Sequence, residues 1–328
     1  MSQNHDDIVK RLPRSLLLGA KRFVRGPVKR ENLPTVPLEV QAALGVRRLN
    51  EQCVELEPYG NQVRSGSAKA IGFLFVLGVC MSAFLWSITP APITARIWFM
   101  LFLGPWFMAA TSVGWYLITS RYMGQFRGGF IRIHRGTGKL YFVTPRDERL
   151  LTLEWAQLHA LAGYIPVVGA AGYTSFYPLY LIAIDWESTP PKEICIACGN
   201  LGWRDDGDSA KQLWDYLQVF MEDGPTSLSG PPPIPPRLAR KQTFLRFYRD
   251  WAEKFRRDLS TPKGKRWALL WAPAKILWLI CMVFPDSIAE FIEYDVPYTS
   301  FPKEIDELCG FEEKRVPIMR LNGERIDS

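Results

Sequence analysis

Histidine and cysteine are scarce in this sequence of 328 residues, which contains only 3 His and 6 Cys. Six cysteines in a chain of this length do not make a disulfide framework, and three histidines leave little material for acid-base catalysis. The sequence also lacks a glycine-rich phosphate loop, a G-x-S-x-G nucleophile turn and an H-E-x-x-H zinc motif. We therefore predict no catalytic, cofactor-binding or metal-binding residues and no enzyme activity.

Charge is nearly absent from residues 70–120, where Arg96 is the only Lys, Arg, Asp or Glu. Uncharged runs of 26 residues before Arg96 and 24 residues after it are each long enough to cross a bilayer, which takes about 20 residues of helix. The sequence therefore predicts two transmembrane helices, about 70–89 and 96–119. A buried helical hairpin in a soluble core is the alternative that we consider.

The connection between the two predicted spans is short, and it has few positive charges. Residues 89–94 contain two prolines, which interrupt a helix because they remove N–H donors and restrict the residues before them. Positive charges flank the hairpin on its other side: Arg64, Lys69, Arg121 and Arg127. By the positive-inside rule, we expect a multi-pass membrane protein with both termini in the cytoplasm.

The region 1–69 is predicted to be a basic cytoplasmic segment of a chain whose formal net charge is +7. Residues 8–30 contain eight Lys or Arg and no acid. A basic cluster beside a membrane is attracted to anionic lipid, by about 1 kcal/mol per residue near the surface. Contact with an anionic lipid surface and a solvated tail are both compatible with this pattern.

Beyond the hairpin, the pattern changes to alternating strands, which predict a cytoplasmic β-rich domain at 121–226. Residues 130–143 read as a β-hairpin with a turn at Arg135 to Gly138, and 150–155 reads as a third strand. Two more strands are predicted at 177–185 and 193–197, followed by an amphipathic helix at 209–221. This order predicts an α+β fold and resembles a small pleckstrin-homology-like barrel with a capping helix, although a generic α+β sandwich has the same order.

A proline-rich linker at 227–236 separates this domain from a helical, partly membrane-interfacial C-terminal region at 237–328. Its first helix, about 238–259, combines an aromatic stripe with basic residues, so it suits either a membrane interface or ordinary packing. The apolar run 267–284 contains Lys275 and Pro273, which disfavour a third span. A re-entrant or interface-lying helix, or a core helix, fits that run better.

Eight residues are candidates for partner or membrane binding because they are basic or aromatic and fall on the first hairpin or the first C-terminal helix. They are Arg132, His134, Arg135, Arg246, Arg249, Trp251, Phe255 and Arg256. The cysteines of Cys195-Ile-Ala-Cys198 are three apart in a predicted strand, so their side chains point to opposite faces. We interpret them as small buried residues and not as a redox or metal pair.

Several motifs together resemble a family of uncharacterised bacterial inner-membrane proteins with two spans, which are often encoded beside type VI secretion toxins. The motifs are Ile131 to Tyr141, Glu154 with Trp155, and Phe301 to Ile305 followed by Cys309. The similarity covers roughly residues 30–310, and at the first hairpin this chain has His134 where the family more often has Asn. The family supplies no catalytic residues.

The resemblance implies an immunity or accessory protein of the inner membrane that binds a toxin through its cytoplasmic part. The short connection between the spans offers too little surface for a stable interface, which buries about 800 Å² per partner. A membrane-tethered lipid- or protein-sensing adaptor is the alternative. A membrane enzyme using Cys195, Cys198, His134 or His159 is a further hypothesis. We expect membrane and protein partners, and no nucleic acid.

Overall fold

The structure is a computed structural model of the chain. It describes residues 45–88, 92, 94–98, 106, 127–169, 172–186, 189, 192–199, 207–234, 237–294, 296–311 and 318–319. The chain divides into two compact units. The β-rich unit comprises Met1–Asn61, Gly128–Pro235 and Tyr298–Lys314, and the helical unit comprises Gln62–Arg127, Pro236–Pro297 and Arg315–Ser328.

A five-stranded antiparallel sheet with the order β1-β2-β3-β4-β5 forms the first layer of the β-rich unit. Its strands are β1 (Val46–Leu49), β2 (Cys53–Leu56), β3 (Ile131–His134), β4 (Lys139–Val143) and β5 (Leu150–Glu154). The predicted hairpin and third strand are confirmed, and Gly138 completes the hairpin turn at φ +63°, where a side chain would be strained. Strands β1 and β2 lie in the region that we predicted to be a basic segment.

A second, three-stranded sheet has the order β10-β9-β6. Its strands are β6 (His159–Ala162), β9 (Leu179–Asp185) and β10 (Lys192–Cys198), while β7 (Ile165–Gly169) and β8 (Gly172–Phe176) form a separate hairpin. The α+β class and the strands at 177–185 and 193–197 are confirmed. The described strands do not form a closed barrel. Strand β5 is hydrogen-bonded within the five-stranded sheet and β6 within the three-stranded sheet, so the two sheets remain separate.

One hydrophobic core joins both sheets to helix α2 (Asp208–Asp223). The helix has an apolar face at helical spacing, and Trp214, Tyr216 and Phe220 on it have no exposed surface. The Trp214 ring stacks on Trp155 at 5.0 Å between centroids. The predicted helix at 209–221 therefore covers the strands, as the pattern indicated.

The segment after Tyr298 belongs to the β-rich unit, although we predicted one C-terminal region at 237–328. The N–H of Thr299 donates to the carbonyl of Gly128 at 2.8 Å, and Phe301 packs in a cluster with the strand residue Tyr141. Helix α7 (Lys303–Cys309) ends where Asn50 donates from its side chain to the Cys309 carbonyl at 2.7 Å. The β-rich unit is thus assembled from segments that lie far apart in sequence.

The helical unit contains most of helix α1 (Tyr59–Ile88) and a run of C-terminal helices. These are α3 (Arg240–Ser260), α4 (Pro262–Arg266), α5 (Ala268–Trp278), a π-helical turn (Leu279–Val283) and α6 (Phe284–Glu293), and a short parallel pair joins β11 (Arg237–Leu238) to β12 (Ile318–Met319). Ion pairs Lys69–Asp286 at 3.0 Å and Arg64–Glu293 at 3.9 Å join α1 to α6.

Two described helices are long and apolar enough to cross a membrane, at Tyr59–Cys80 and Ala268–Phe291. The first overlaps the predicted span 70–89, although its helix begins at Tyr59. Of the second predicted span, only 96–98 and residue 106 are among the described residues, and the basic cluster 8–30 lies outside them. The second apolar helix contains residues 268–284 of the run 267–284, which we did not predict to be a span.

Candidate functional site

A small polar cavity in the β-rich unit contains Arg132, one of the predicted binding residues. The cavity has a volume of about 120 Å³ and is lined by side chains from β1, β2, β3 and the segment that follows Tyr298. We call it the Arg132 cavity. Its charged and polar lining residues include Arg47, Arg48, Glu55, Arg132, Thr299 and Asp306.

Glu55 lies at the centre of a buried ion network. Its side chain has no exposed surface and accepts hydrogen bonds from Arg47 at 2.8 Å and from Arg132 at 2.9 Å. Arg48 lies 3.5 Å from the same carboxylate, and Arg132 also pairs with Asp306 of α7. The sheet register explains this arrangement, because Glu55 is the direct cross-strand partner of both Arg48 and Arg132.

The described lining of this cavity includes three guanidinium groups, of Arg47, Arg48 and Arg132, and two carboxylates, of Glu55 and Asp306. Burial of Arg132 disfavours its charged form, but hydrogen bonds from its guanidinium to Asp306 and Glu55 outweigh that effect and raise its pKa. Arg132 therefore stays charged at all physiological pH values.

Aromatic rings hold two of the guanidinium groups in place. The Arg47 guanidinium lies 3.8 Å from the centroid of the Phe130 ring, and that of Arg132 lies 4.0 Å from the centroid of Phe301. Such cation–π contacts contribute roughly 0.5–2 kcal/mol and restrict side-chain rotation. The Tyr298 ring stacks on the Phe130 ring that contacts Arg47, with 5.0 Å between the ring centroids. The rings therefore restrict the positions of these two guanidinium groups.

Thr299 adds a polar group that the described residues do not satisfy. Its backbone N–H donates to Gly128, but its side-chain hydroxyl is buried and has no hydrogen-bond partner among the described residues. The residue is only 6% exposed and lines the Arg132 cavity. A buried polar atom without a partner costs about 1–3 kcal/mol, so this hydroxyl is a polar group that the described part of the fold leaves unsatisfied.

The other two predicted hairpin residues have structural partners. His134 is 5% exposed, and its Nδ1 accepts a hydrogen bond from the Thr137 N–H at 3.0 Å. Burial lowers the His134 pKa, although a hydrogen bond with the Leu308 backbone opposes this shift. Arg135 donates to the carbonyls of Met221 at 3.1 Å and Glu222 at 2.7 Å, which places its charge at the C-terminal end of α2. Neither side chain lines the Arg132 cavity.

Of the predicted binding residues on α3, some pack against other helices and others are exposed to solvent. The aromatic side chains face the following helices: Trp251 donates to the Lys275 carbonyl at 3.2 Å, and Phe255 meets Trp271 edge to face. Arg246 pairs with Glu290 at 2.8 Å. Arg249 and Arg256 are exposed. The aromatic stripe is therefore used for packing within the helical unit, whereas exposed basic residues remain on the helix surface.

The cysteines are free thiols, and Cys53, Cys198 and Cys309 are buried. Cys198 packs in the main core and Cys195 against a separate cluster, as expected for residues on opposite faces of a strand. Cys53 and Cys309 pack together as free thiols, and burial raises the pKa of Cys53. Among the described residues, no group of three or more His, Cys, Asp or Glu could hold a metal ion.

Of the residues that line this cavity, only Arg132 was predicted from the sequence to be a binding residue. Arg47, Arg48 and Glu55 were assigned to a basic segment, although Val46 to Leu56 contains two short apolar–polar strand patterns around Asn50 that could have been read as a hairpin. Thr299 and Asp306 gave no local signal, because only the fold brings them to the sheet.

In comparisons with family models, curated proteins and solved structures, none matches this chain.

Proposed function

We propose that this protein is a membrane-anchored binding protein of the bacterial inner membrane. The observation that carries the proposal is the apolar helix Ala268–Phe291, in which only 11% of the most apolar window is buried. Leu269, Leu270 and Leu277 on this helix are 94%, 70% and 61% exposed. Leaving so much apolar surface in water is unfavourable by about 25 cal/mol per Å², so a lipid environment is the natural partner.

Helix α1 supplies the membrane-crossing part of this proposal. Arg64 and Lys69, near its start, pair with acidic residues of α6, and the apolar run begins at Ala70. Helix α6 therefore packs against α1 at the charged end, where the bilayer would begin. Together with the predicted span 96–119, α1 would form the transmembrane hairpin, with both termini in the cytoplasm.

For Ala268–Phe291 we favour a position in the membrane interface over a crossing. Helix α3 contains seven basic and three acidic residues and contacts the apolar helix through Arg246–Glu290, Asp258–Lys275 and Trp251. A helix with ten charges cannot accompany its neighbour through hydrocarbon, because each central charge costs about 2.5–3.5 kcal/mol on insertion scales. An interface position keeps the charged side chains of α3 in water and the leucines in lipid.

Spin labels on single-cysteine variants at Leu269, Leu270, Leu277 and Ile280 of the reconstituted full-length protein test this position. We expect oxygen accessibility to be high, and the depth similar, at all four labels, because these residues lie on one side of the helix and an interface helix has one lipid-facing side. A depth that changes steadily along the helix would indicate a crossing. High water accessibility at all four labels would contradict membrane contact, and a label at exposed Arg249 is the aqueous control.

The binding role is proposed for the cytoplasmic part, with a type VI secretion toxin as the partner. Three points support it: the family resemblance, the short predicted connection between the spans, and a positioned cluster of Arg and aromatic side chains, which are the residue types enriched at interface hot spots. Affinity purification of the full-length protein from its native cells, followed by mass spectrometry, tests it. A neighbouring toxin should be recovered in comparable amount, and repeated absence of any protein partner would contradict the proposal.

A membrane-tethered, pleckstrin-homology-like adaptor is the second candidate. The observation that favours it is helix α2, which follows the strands and packs across both sheets through Trp214, as a capping helix does. If the protein is an adaptor, deletion of the neighbouring toxin gene should leave the other protein partners of the full-length protein unchanged. A partner found only in cells that carry the toxin would favour the immunity role instead.

A further inference from the structure

We propose that the short helix α4 binds the headgroups of anionic phospholipids. Its three basic residues, Lys263, Lys265 and Arg266, are exposed to solvent. The described ion pairs of the helical unit are made by other residues, and residues 259–285 contain no Asp or Glu. The inference rests on the proposed position of Ala268–Phe291 in the membrane interface, and it names the lipid that the start of this helix binds there.

Contacts from both neighbouring helices hold α4 in place. The Thr261 hydroxyl caps it by accepting from the N–H of Gly264 at 3.0 Å, and the Trp271 indole of α5 donates to the Gly264 carbonyl at 2.9 Å. Gly264 also lies so close to the Asp258 carbonyl of α3 that a side chain could not fit between them. The basic side chains therefore extend from a backbone whose position is restrained.

The basic residues lie beside the exposed leucines. Lys265 and Arg266 come four residues before Leu269 and Leu270, which are 94% and 70% exposed. Trp267 continues the helical period from α4 to α5, because its N–H donates to the carbonyl four residues before it at 3.3 Å and its carbonyl accepts from the N–H four residues after it at 3.2 Å. Residues four apart in a helix are neighbours on its surface. Positive charge and apolar surface thus adjoin on one side of the helix.

This combination selects an anionic phospholipid as the ligand. Such a lipid has a phosphate that ammonium and guanidinium groups can contact, and acyl chains that suit leucine side chains. Trp267, which is 54% exposed between the two kinds of residue, is of a type enriched at the headgroup level of membranes. A soluble anion would contact the charges alone and would leave Leu269 and Leu270 in water.

The other end of the apolar helix is attached to α1. Gly72 of α1 lies so close to Pro285 that a Cβ there would be 2.7 Å from the Pro285 Cα, and Lys69 pairs with Asp286 at 3.0 Å. Leu269 is about 24 Å from Pro285 along a helix that rises about 1.5 Å per residue. Helix α4 is therefore placed to hold the end that lies far from this attachment at the lipid surface.

Brominated phospholipids test this site in the full-length protein reconstituted in nanodiscs. A bimane fluorophore on a single cysteine at Leu269 is quenched by bromine on the acyl chains that contact it. The discs contain equal amounts of phosphatidylglycerol and phosphatidylcholine, with bromine on one lipid or on the other. We expect phosphatidylglycerol to be enriched near the label by about 2- to 5-fold, since one Lys or Arg at the surface favours an anionic lipid by up to about 5-fold.

Salt and charge substitutions identify the cause of this enrichment. It should fall in 1 M salt, because the Debye length decreases from about 10 Å at 0.1 M to about 3 Å at 1 M. Replacing Lys263, Lys265 and Arg266 together by Gln should remove it, while brominated phosphatidylcholine still quenches the label. The matched control removes the same charge from exposed residues of the β-rich unit and should keep the enrichment. Its substitutions are Arg146→Gln, Lys192→Gln and Lys211→Gln.

The quenching separates failure of this site from failure of the membrane position. Equal quenching by the two lipids in the wild type, or equal enrichment in the wild type and the triple α4 variant, would overturn the headgroup site but leave membrane contact intact. Absence of quenching by both lipids would contradict the membrane position together with the site, and would show that another molecule, such as a protein, covers the leucines.

Discussion

Glu55 shows how one buried residue organises the β-rich unit, since it accepts from guanidinium groups of two neighbouring strands while having no exposed surface. Removing one member of a buried ion network leaves the others without a counter-charge, which costs about 3–5 kcal/mol. The network also connects the sheet to α7 through Arg132 and Asp306. Its loss should therefore affect stability far more than loss of a surface pair.

We predict that Glu55→Gln lowers the free energy of unfolding by about 3–5 kcal/mol, because Arg47 and Arg132 lose their buried counter-charge. Chemical denaturation of the full-length protein, followed by tryptophan fluorescence, measures this change. Glu154→Gln, in an exposed pair with Lys139 at 3.8 Å, is the control and should change stability by less than about 1 kcal/mol. Equal effects of the two substitutions would contradict the structural role of Glu55.

A pH dependence follows from His134, whose pKa is lowered by burial. The unfolded chain takes up a proton near pH 6.5, before the folded protein does, so this contribution to stability is present above about pH 6.5 and is lost as the pH falls toward the folded pKa. We expect His134→Asn to reduce the loss of stability between pH 7.5 and pH 5. An unchanged pH profile in this variant would show that other groups control it.

At the scale of the element, helix α2 depends on a side chain from the hairpin between β3 and β4. Arg135 donates two hydrogen bonds to carbonyls in the last turn of α2, where helix carbonyls lack partners of their own. Gly224 follows at φ +84°, and a Cβ there would lie 2.8 Å from the Arg135 Nη1. The hairpin and the helix end are therefore fitted to each other.

We predict that Arg135→Ala destabilises the β-rich unit by about 1.5–3 kcal/mol, because it removes charge-assisted hydrogen bonds to two carbonyls. Hydrogen exchange of the amides in α2, read by mass spectrometry, should increase most in its last turns. Arg146→Ala, at an exposed position in the turn before β5, is the matched control. Faster exchange spread evenly over the whole chain would argue against a local effect at the helix end.

At the scale of the whole molecule, the β-rich unit is closed by a segment that follows the helical unit in sequence. Cys53 has no exposed surface and packs against Cys309 of this segment, and Phe301 packs against β4. The segment therefore covers residues of the sheet that would otherwise contact water. A chain that ends before Tyr298 should lack this cover.

We predict that deletion of residues 298–328 makes the Cys53 thiol reactive toward a maleimide, whereas it stays protected in the full-length protein. Mass spectrometry that resolves labelling at each cysteine measures the change. A cysteine introduced at the exposed position Arg146 serves as the internal standard because it should react in both proteins. Continued protection of Cys53 in the shortened chain would show that the segment does not cover the sheet.

Local patterns were sufficient for several parts of the fold. Alternation around Arg135 to Gly138 predicted the hairpin β3–β4, and the helical spacing of Leu213, Trp214, Leu217 and Phe220 predicted α2. The spacing of Cys195 and Cys198 predicted opposite faces of one strand. Each of these features depends on residues that are close together in sequence, so the local sequence pattern was sufficient to predict it.

The sequence by itself determined the α+β class, the apolar helices and the strands with clear alternation, because each follows from the backbone period of a single segment. Only the tertiary structure decided that β1, β2 and the segment after Tyr298 complete the β-rich unit. It alone also placed Glu55, Arg132 and Thr299 around one cavity. Contacts between segments separated by up to about 250 residues leave no local period, since they depend on the register of strands and on packing.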